Sequence, residues 1–239
     1  MSSPAAQPAH AGFVLVACGL ALEARIASGP GVRSIAGGVD RQRLARELED
    51  AVTAGAEAVI SFGIAGGLAP GLRAGTRIIG RGVHAAAGYR ACDAAWIARL
   101  AERLPGALVG DLAGADRPVA NADAKRALHA ATSALAVDTE SHVAADVAVT
   151  HGLPFAALRV VADAAFRSLP EAALVGLDAG GTVDVAAVLR SLARTPSQLP
   201  LLLRTACDAR VAFAALRRGR RCVGVRFGCD LRALDLDVT

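Results

Sequence analysis

The sequence predicts an α/β fold: a three-layer α/β/α sandwich with a mostly parallel, mixed central sheet. Three observations lead there. Apolar runs at 13–18, 58–62 and 155–162 are continuous rather than alternating, the pattern of strands buried on both faces. Segments of helical spacing alternate with them along the chain. The composition is 54% hydrophobic but only 3% aromatic, and rich in Ala, Val, Leu and Gly, which suits small-residue helices packed closely on such a sheet.

The elements follow in order. FVLVAC at 13–18 is the first strand, and Gly19 opens a turn. Over 40–53, Leu44, Leu48 and Val52 recur at i, i+4, a helical stripe closed by Gly55. A second strand at 58–62 breaks into the glycine loop Gly63-Ile64-Ala65-Gly66-Gly67, and a strand resumes at 76–79. Trp96, Ile97 and Leu100 mark a helix between 91 and 104, followed by a strand at 107–109 that ends in Gly110-Asp111. Residues 111–121, with Gly114 and Pro118, read as loop. A helix over 122–132 leads to a strand at 135–137 and then to VDTESHVAAD, where Val143-Ala144 and Val147-Ala148 mark another helix. The strand at 155–162 carries Arg159 and ends at Asp163, and the stretches 183–192 and 198–216 are helical. Neither an internal repeat nor a linker divides the chain, which therefore reads as one domain over 1–239 with a basic helical tail from about 198.

Charge is uneven. Ten arginines against four aspartates give residues 190–239 a balance of +6, so the net +4 leaves −2 on the first 189. Such a tail attracts phosphates or an anionic membrane surface, or is merely well solvated. No stacking aromatics are interleaved with its arginines, which argues against nucleic-acid binding. Of 26 basic residues one is lysine, Lys125, a bias that reads as codon usage. The five cysteines form no CxxC pair and the histidines no metal-binding spacing, so reduced thiols and no metal cofactor are expected. The apolar run ending at Leu22 lacks a basic n-region and is too short to span a bilayer. These features predict a cytoplasmic protein, with peripheral contact at the inner membrane through the tail.

In parallel sheets ligands bind at the carboxyl ends of strands. The polar and glycine features fall at five such ends: Gly19 with Glu23, the 63–67 loop, Asp111, the Asp138-Thr139-Glu140 cluster, and Asp163. Each has a plainer reading. The glycine loop lacks Gly-Lys-Ser/Thr and serves equally as a tight turn. Asp138 fits a helix N-cap, and Glu23 an exposed helix residue. Asp163 after an apolar strand is either a partly desolvated acid, with a pKa raised toward general-acid use, or a cap or partner for Arg159. His142 and His151 read as helix-surface or packing residues.

Three segments then become familiar together: VISFGIAGGLAP at 59–70, VDTES at 137–141 and PFAALRVVAD at 154–163. In order and spacing they resemble the purine nucleoside phosphorylase and methylthioadenosine/S-adenosylhomocysteine nucleosidase superfamily over nearly the whole chain. GLALEARIA at 19–27, LVGLD at 174–178 and the Arg-rich region around Gln198-Leu199-Pro200 are similar to its hopanoid-associated phosphorylase subgroup.

The resemblance implies an enzyme that cleaves the N-glycosidic bond of an adenine nucleoside. The implied substrate is adenosylhopane, giving adenine and ribosyl- or phosphoribosyl-hopane. Methylthioadenosine or S-adenosylhomocysteine hydrolysis and non-catalytic nucleoside binding are the alternatives. It implies that Asp163 protonates the adenine at N7, that Glu140 holds the ribose hydroxyls with Thr139 beneath the sugar, and that Glu23 positions the attacking water. Gly63, Ile64, Ala65 and Gly66 shape the sugar and nucleophile pocket, and Asp111 is a further loop hydrogen-bonder. It implies a homo-oligomer, no cofactor, and phosphate as an optional co-substrate. Three departures stand out. Thr139 replaces the family's Met. Ser61 and Ile64 occupy the phosphorylases' phosphate-binding Arg and Ser/Thr positions, favouring hydrolysis, with Arg25 as a substitute cation. No aromatic follows Gly110-Asp111 to stack on adenine.

Overall fold

The structure is a computed structural model that describes residues 12–175, 181–182 and 184–230. Of the 174–178 segment, residues 176–178 lie outside the described residues, as does Val183 of the helical stretch predicted at 183–192. The elements alternate: β1 (Phe13–Cys18), α1 (Ala21–Ala27), β2 (Val32–Ala36), α2 (Arg41–Thr53), β3 (Ala56–Gly67), β4 (Arg77–Ala85), β5 (Gly88–Ala91), α3 (Ala94–Arg103) and β6 (Leu108–Gly114). Then come α4 (Ala122–Thr132), β7 (Ala136–Asp138), α5 (Ser141–Thr150), β8 (Phe155–Asp163), α6 (Glu171–Leu174), α7 (Val185–Arg194) and α8 (Leu199–Val223).

Among the described residues the sheet runs β2-β1-β3-β7-β6-β4-β5, and β8 pairs with both β3 and β4. Five pairings are parallel (β1 with β2, β1 with β3, β3 with β8, β4 with β6, β6 with β7) and three antiparallel. The strands β3, β8, β4, β6 and β7 therefore close a ring, and the ends of β3, β7 and β8 meet at one rim of it. The mixed α/β sheet agrees with the fold class expected from sequence.

The continuous apolar runs are explained by two cores. Leu15 and Ala17 of β1 pack toward α2 and α5, with Leu44, Leu48, Val143 and Val147. Their neighbours Val14, Val16 and Cys18 pack on the other face with Ala27, Trp96, Leu100, Leu216 and Phe227. Alternate residues of one strand thus enter opposite cores. Side chains set the helix starts: Asp40 accepts from Arg43 N at 2.8 Å, Asp93 from Trp96 N at 2.6 Å and Asn121 from Asp123 N at 2.7 Å. The region from 199 onward is part of this packing, because α8 buries Ala212, Leu216, Gly219 and Val223. No helix among the described residues is long and apolar enough to cross a membrane.

Two sequence expectations are corrected. The segment 63–67 is not a loop: β3 continues to Gly67, because β8 pairs along it and β7 joins at Gly66 and Gly67. Likewise β6 continues through Asp111 to Gly114, which the sequence reading gave to a loop. The strands β2 and β5 were not expected. They are short edge strands with half-exposed patterns and no apolar run to betray them.

Candidate active site

The site is built where the glycines of β3 are squeezed between β7 and β8. The β3–β8 register pairs Ala65 with Val161 and then Gly66 with Asp163, so β8 carries one extra residue at Ala162. Such a bulge re-aims the side chain that follows it, here Asp163. A side chain at Gly67 would meet Asp163 O at 2.9 Å, so glycine permits this close approach.

A cavity of about 460 Å³ opens at this rim. Its lining includes Glu23, Ile64, Ala65, Gly66, Asp138, Thr139, Glu140 and Asp163. Gly63 lies behind that wall: a side chain there would come within 2.5 Å of Glu23 Oε1 and 2.7 Å of Arg159 Nη1. Asp111, in contrast, is absent from the lining. It is held by Arg81 at 3.1 and 3.2 Å and by Tyr89 at 3.0 Å, against the β4–β5 hairpin. Its expected place in the site is corrected on that ground: extending β6 beyond Gly110 moves the rim onward to Gly114, opposite Asp138.

Glu23 is buried rather than an exposed helix residue. Its Oε2 accepts from Gly19 N at 2.9 Å and Leu20 N at 2.8 Å, and its Oε1 from Ile64 N at 2.7 Å. Burial raises its pKa, opposed by the Arg159 guanidinium and these N–H groups. Asp138 does serve the start of α5, accepting from Glu140 N at 2.9 Å and Ser141 N at 2.6 Å. It also meets Arg159 Nη2 at 3.1 Å, and Glu140 Oε2 lies 3.3 Å from the same nitrogen. Arg159 is fully buried and further donates to Ser61 Oγ. It is thus the shared cation of Asp138 and Glu140, not the partner of Asp163. Thr139 donates its hydroxyl to Glu140.

Asp163 is 7% exposed and pairs instead with Lys125 Nζ. Burial raises its pKa and the lysine opposes that rise, with burial the larger effect. Sequence reasoning missed Lys125. Its signal was present: one lysine kept where every other cation is arginine. Arg159 also had a signal, as a charge inside a continuous apolar strand. Arg25 does not supply the inner pocket with a cation. It lines a separate cleft with Arg217, Arg220 and Arg221. The buried acids lining the pocket are therefore Glu23, Asp138, Glu140 and Asp163, with the buried cations Arg159 and Lys125 behind its wall. No aromatic residue lines the cavity among the described residues. Val137, Ala162 and Leu169 offer apolar surface instead. The described residues contain no cluster of three or more potential metal ligands.

A model of the family described as the phosphorylase superfamily matches residues 8–199. The chain belongs to the phosphorylase superfamily. That membership brings the enzyme class expected from sequence, a nucleosidase or nucleoside phosphorylase. Solved structures share the fold at low identity. The Streptococcus pneumoniae 5′-methylthioadenosine/S-adenosylhomocysteine nucleosidase with a transition-state inhibitor is 16% identical at a TM-score of 0.58, covering 89% of this chain and 100% of that one. The Campylobacter jejuni nucleosidase of the same name is 12% identical at 0.59, covering 88% and 98%. The futalosine hydrolase of Helicobacter pylori is 15% identical at 0.56, covering 64% and 88%. A comparison with curated protein sequences finds no match.

Within this superfamily fold the site has two measurable signatures. Burial, with Asp138 and Glu23 nearby, pushes the Glu140 carboxyl from 4.5 to about 7, against the pull of Arg159. The folded protein then keeps a proton that the unfolded chain has lost. Unfolding stability therefore declines as pH rises from about 4.5 to about 7, a slope readable by urea titration across that window. Glu140→Gln should flatten it. Gly63→Ala should cost about 1–3 kcal/mol through overpacking against Glu23 and Arg159, measured by the same titration, and should lower activity with it.

Proposed function

We propose that the chain hydrolyses the N-ribosidic bond of an adenine nucleoside. The observation that carries this reading is the meeting of Glu23, Glu140 and Asp163 around one cavity of about 460 Å³. Cleaving the bond leaves positive charge on the sugar and an electron pair on the base. Asp163, its carboxyl pKa raised by burial, gives a proton to N7 as the C1′–N9 pair moves onto the purine. Glu140, held by Thr139 and Arg159, accepts hydrogen bonds from the ribose 2′- and 3′-hydroxyls. Glu23, held in place by three backbone N–H groups, takes a proton from the water that adds to C1′.

Hydrolysis fits better than phosphorolysis. The Ile64 N–H already serves Glu23, Ser61 Oγ serves Arg159, and Arg159 serves two carboxylates. An incoming phosphate would meet four acids, while the buried cations Arg159 and Lys125 are already engaged by those acids.

The finer reading is a lipid-linked substrate, adenosylhopane. Val39, Leu44, Pro118, Val119 and Leu169 supply apolar lining. The exposed apolar residues Val185 and Leu189 of α7 and Leu199, Leu201 and Leu203 of α8, with the basic residues of α8, support peripheral membrane contact. A second reading, a soluble S-adenosylhomocysteine-type substrate, draws on Arg41, Asp116 and Arg117, which also line the cavity and could meet an amino-acid end. Chromatography of adenine released from adenosylhopane, alone and against methylthioadenosine or S-adenosylhomocysteine, tests both. Preferential cleavage of the lipid is expected. Preference for the soluble nucleosides would select the second reading, and release from neither would reject the function.

A further inference from the structure

The lone lysine is placed where the proposed general acid needs it. Lys125 lies on α4 with its side chain fully buried. Its Nζ donates to Asp163 Oδ2, to Arg167 O at 3.0 Å and to Ala164 O at 3.4 Å. Three acceptors match the three N–H donors of an ammonium. The pair sits just behind the cavity wall: a side chain at Gly66 would lie 3.6 Å from Asp163 Oδ1 and 3.7 Å from Lys125 Cε. Oδ2 is thereby held in the interior, and among the described residues no hydrogen bond reaches Oδ1.

Residue choice points the same way. Elsewhere the chain uses arginine for its cations, 25 of 26. A guanidinium has five donors in a rigid plane, and this enclosed site offers three acceptors. An arginine here would bury unsatisfied N–H groups, so the site demands the compact ammonium.

The electrostatics supply a role. A general acid must hold a proton before bond cleavage and release it during cleavage. Burial favours the protonated carboxyl, and a cation beside it favours the ionised one. Asp208 and Arg167, paired with each other, are the other charges acting on this carboxyl, in opposite directions. We propose that Lys125 is a positioning residue that fixes Asp163 Oδ2, leaves Oδ1 to the purine, and stabilises the carboxylate formed when Asp163 gives its proton to the leaving base. The proton passes from Asp163 to N7, the C1′–N9 electron pair stays with adenine, and water supplies the new bond at C1′. The inference rests on the reading of Asp163 as the general acid.

Lys125→Met and Lys125→Gln test it by two readouts. Gln keeps donors without the charge. The first readout is the ¹³C-carboxyl NMR titration of Asp163, assigned with Asp163→Asn, which needs no activity. The second is the pH profile of adenine release from an adenine nucleoside. In both variants Asp163 should titrate about one pH unit or more higher. The alkaline limb of the rate should move up with it. The rate constant kcat should fall about tenfold or more, with KM changing less. Circular dichroism identifies folded variants, and Gln carries the test if Met does not fold. A wild-type Asp163 titration in the Gln variant overturns the inference. If the wild-type enzyme releases no adenine, the functional reading fails, while the titration still decides whether Lys125 controls Asp163.

Discussion

Asp163→Asn is expected to lower kcat by about two to four orders of magnitude, the usual contribution of a positioned general acid. The amide has nearly the carboxyl's shape and can still accept from Lys125 through its oxygen, so the fold should persist. What it lacks is a proton to give to the purine. The alkaline limb of the wild-type rate, where Asp163 loses that proton, should disappear in the variant. Adenine release followed by chromatography across pH reads both effects. Undiminished turnover would remove Asp163 from its role, because no other acid with raised pKa has been placed beside Lys125 at this end of β8.

The largest effect on stability should come from Arg159→Leu. Arg159 is fully buried, 3.1 Å from Asp138 and 3.3 Å from Glu140, and it opposes the raised pKa of Glu23. Removing it strands a group of buried acids without their cation, which costs about 3–5 kcal/mol near neutral pH. The acids can escape by taking up protons. The loss should therefore shrink as pH falls, the variant gaining stability relative to wild type toward about pH 5. Urea denaturation at several pH values measures this. A loss independent of pH would mean that Arg159 acts by packing alone.

Much of the architecture was legible because a strand buried on both faces leaves a continuous apolar run, and β1 and β8 both do. The helices α2 and α3 were legible for an equally local reason, the apolar spacing of Leu44, Leu48 and Val52 and of Trp96, Ile97 and Leu100. Glycine was misread for a non-local one. In sequence, 63–67 looks like a loop, yet β7 and β8 supply backbone partners from distant parts of the chain, Ala136 to Asp163, and keep it a strand. The same extension of strand at β6 displaced Asp111 from the site. Glu23, Glu140 and Asp163 stood out as acids at strand ends, but their partners did not. Which cation meets which acid depends on the ring of five strands and on α4, and neither is written in local spacing. Lys125, a compositional oddity, and Arg159, a charge inside an apolar strand, were visible exceptions whose meaning required the fold.

The central claim is that this pocket breaks an adenine–ribose bond with water. It is tested most directly by a time course of adenine release from an adenine nucleoside in phosphate-free buffer, repeated with added phosphate. The account predicts release without phosphate, a rate unaffected by its addition, and a free ribosyl product. Release that requires phosphate and yields a ribosyl phosphate would contradict it.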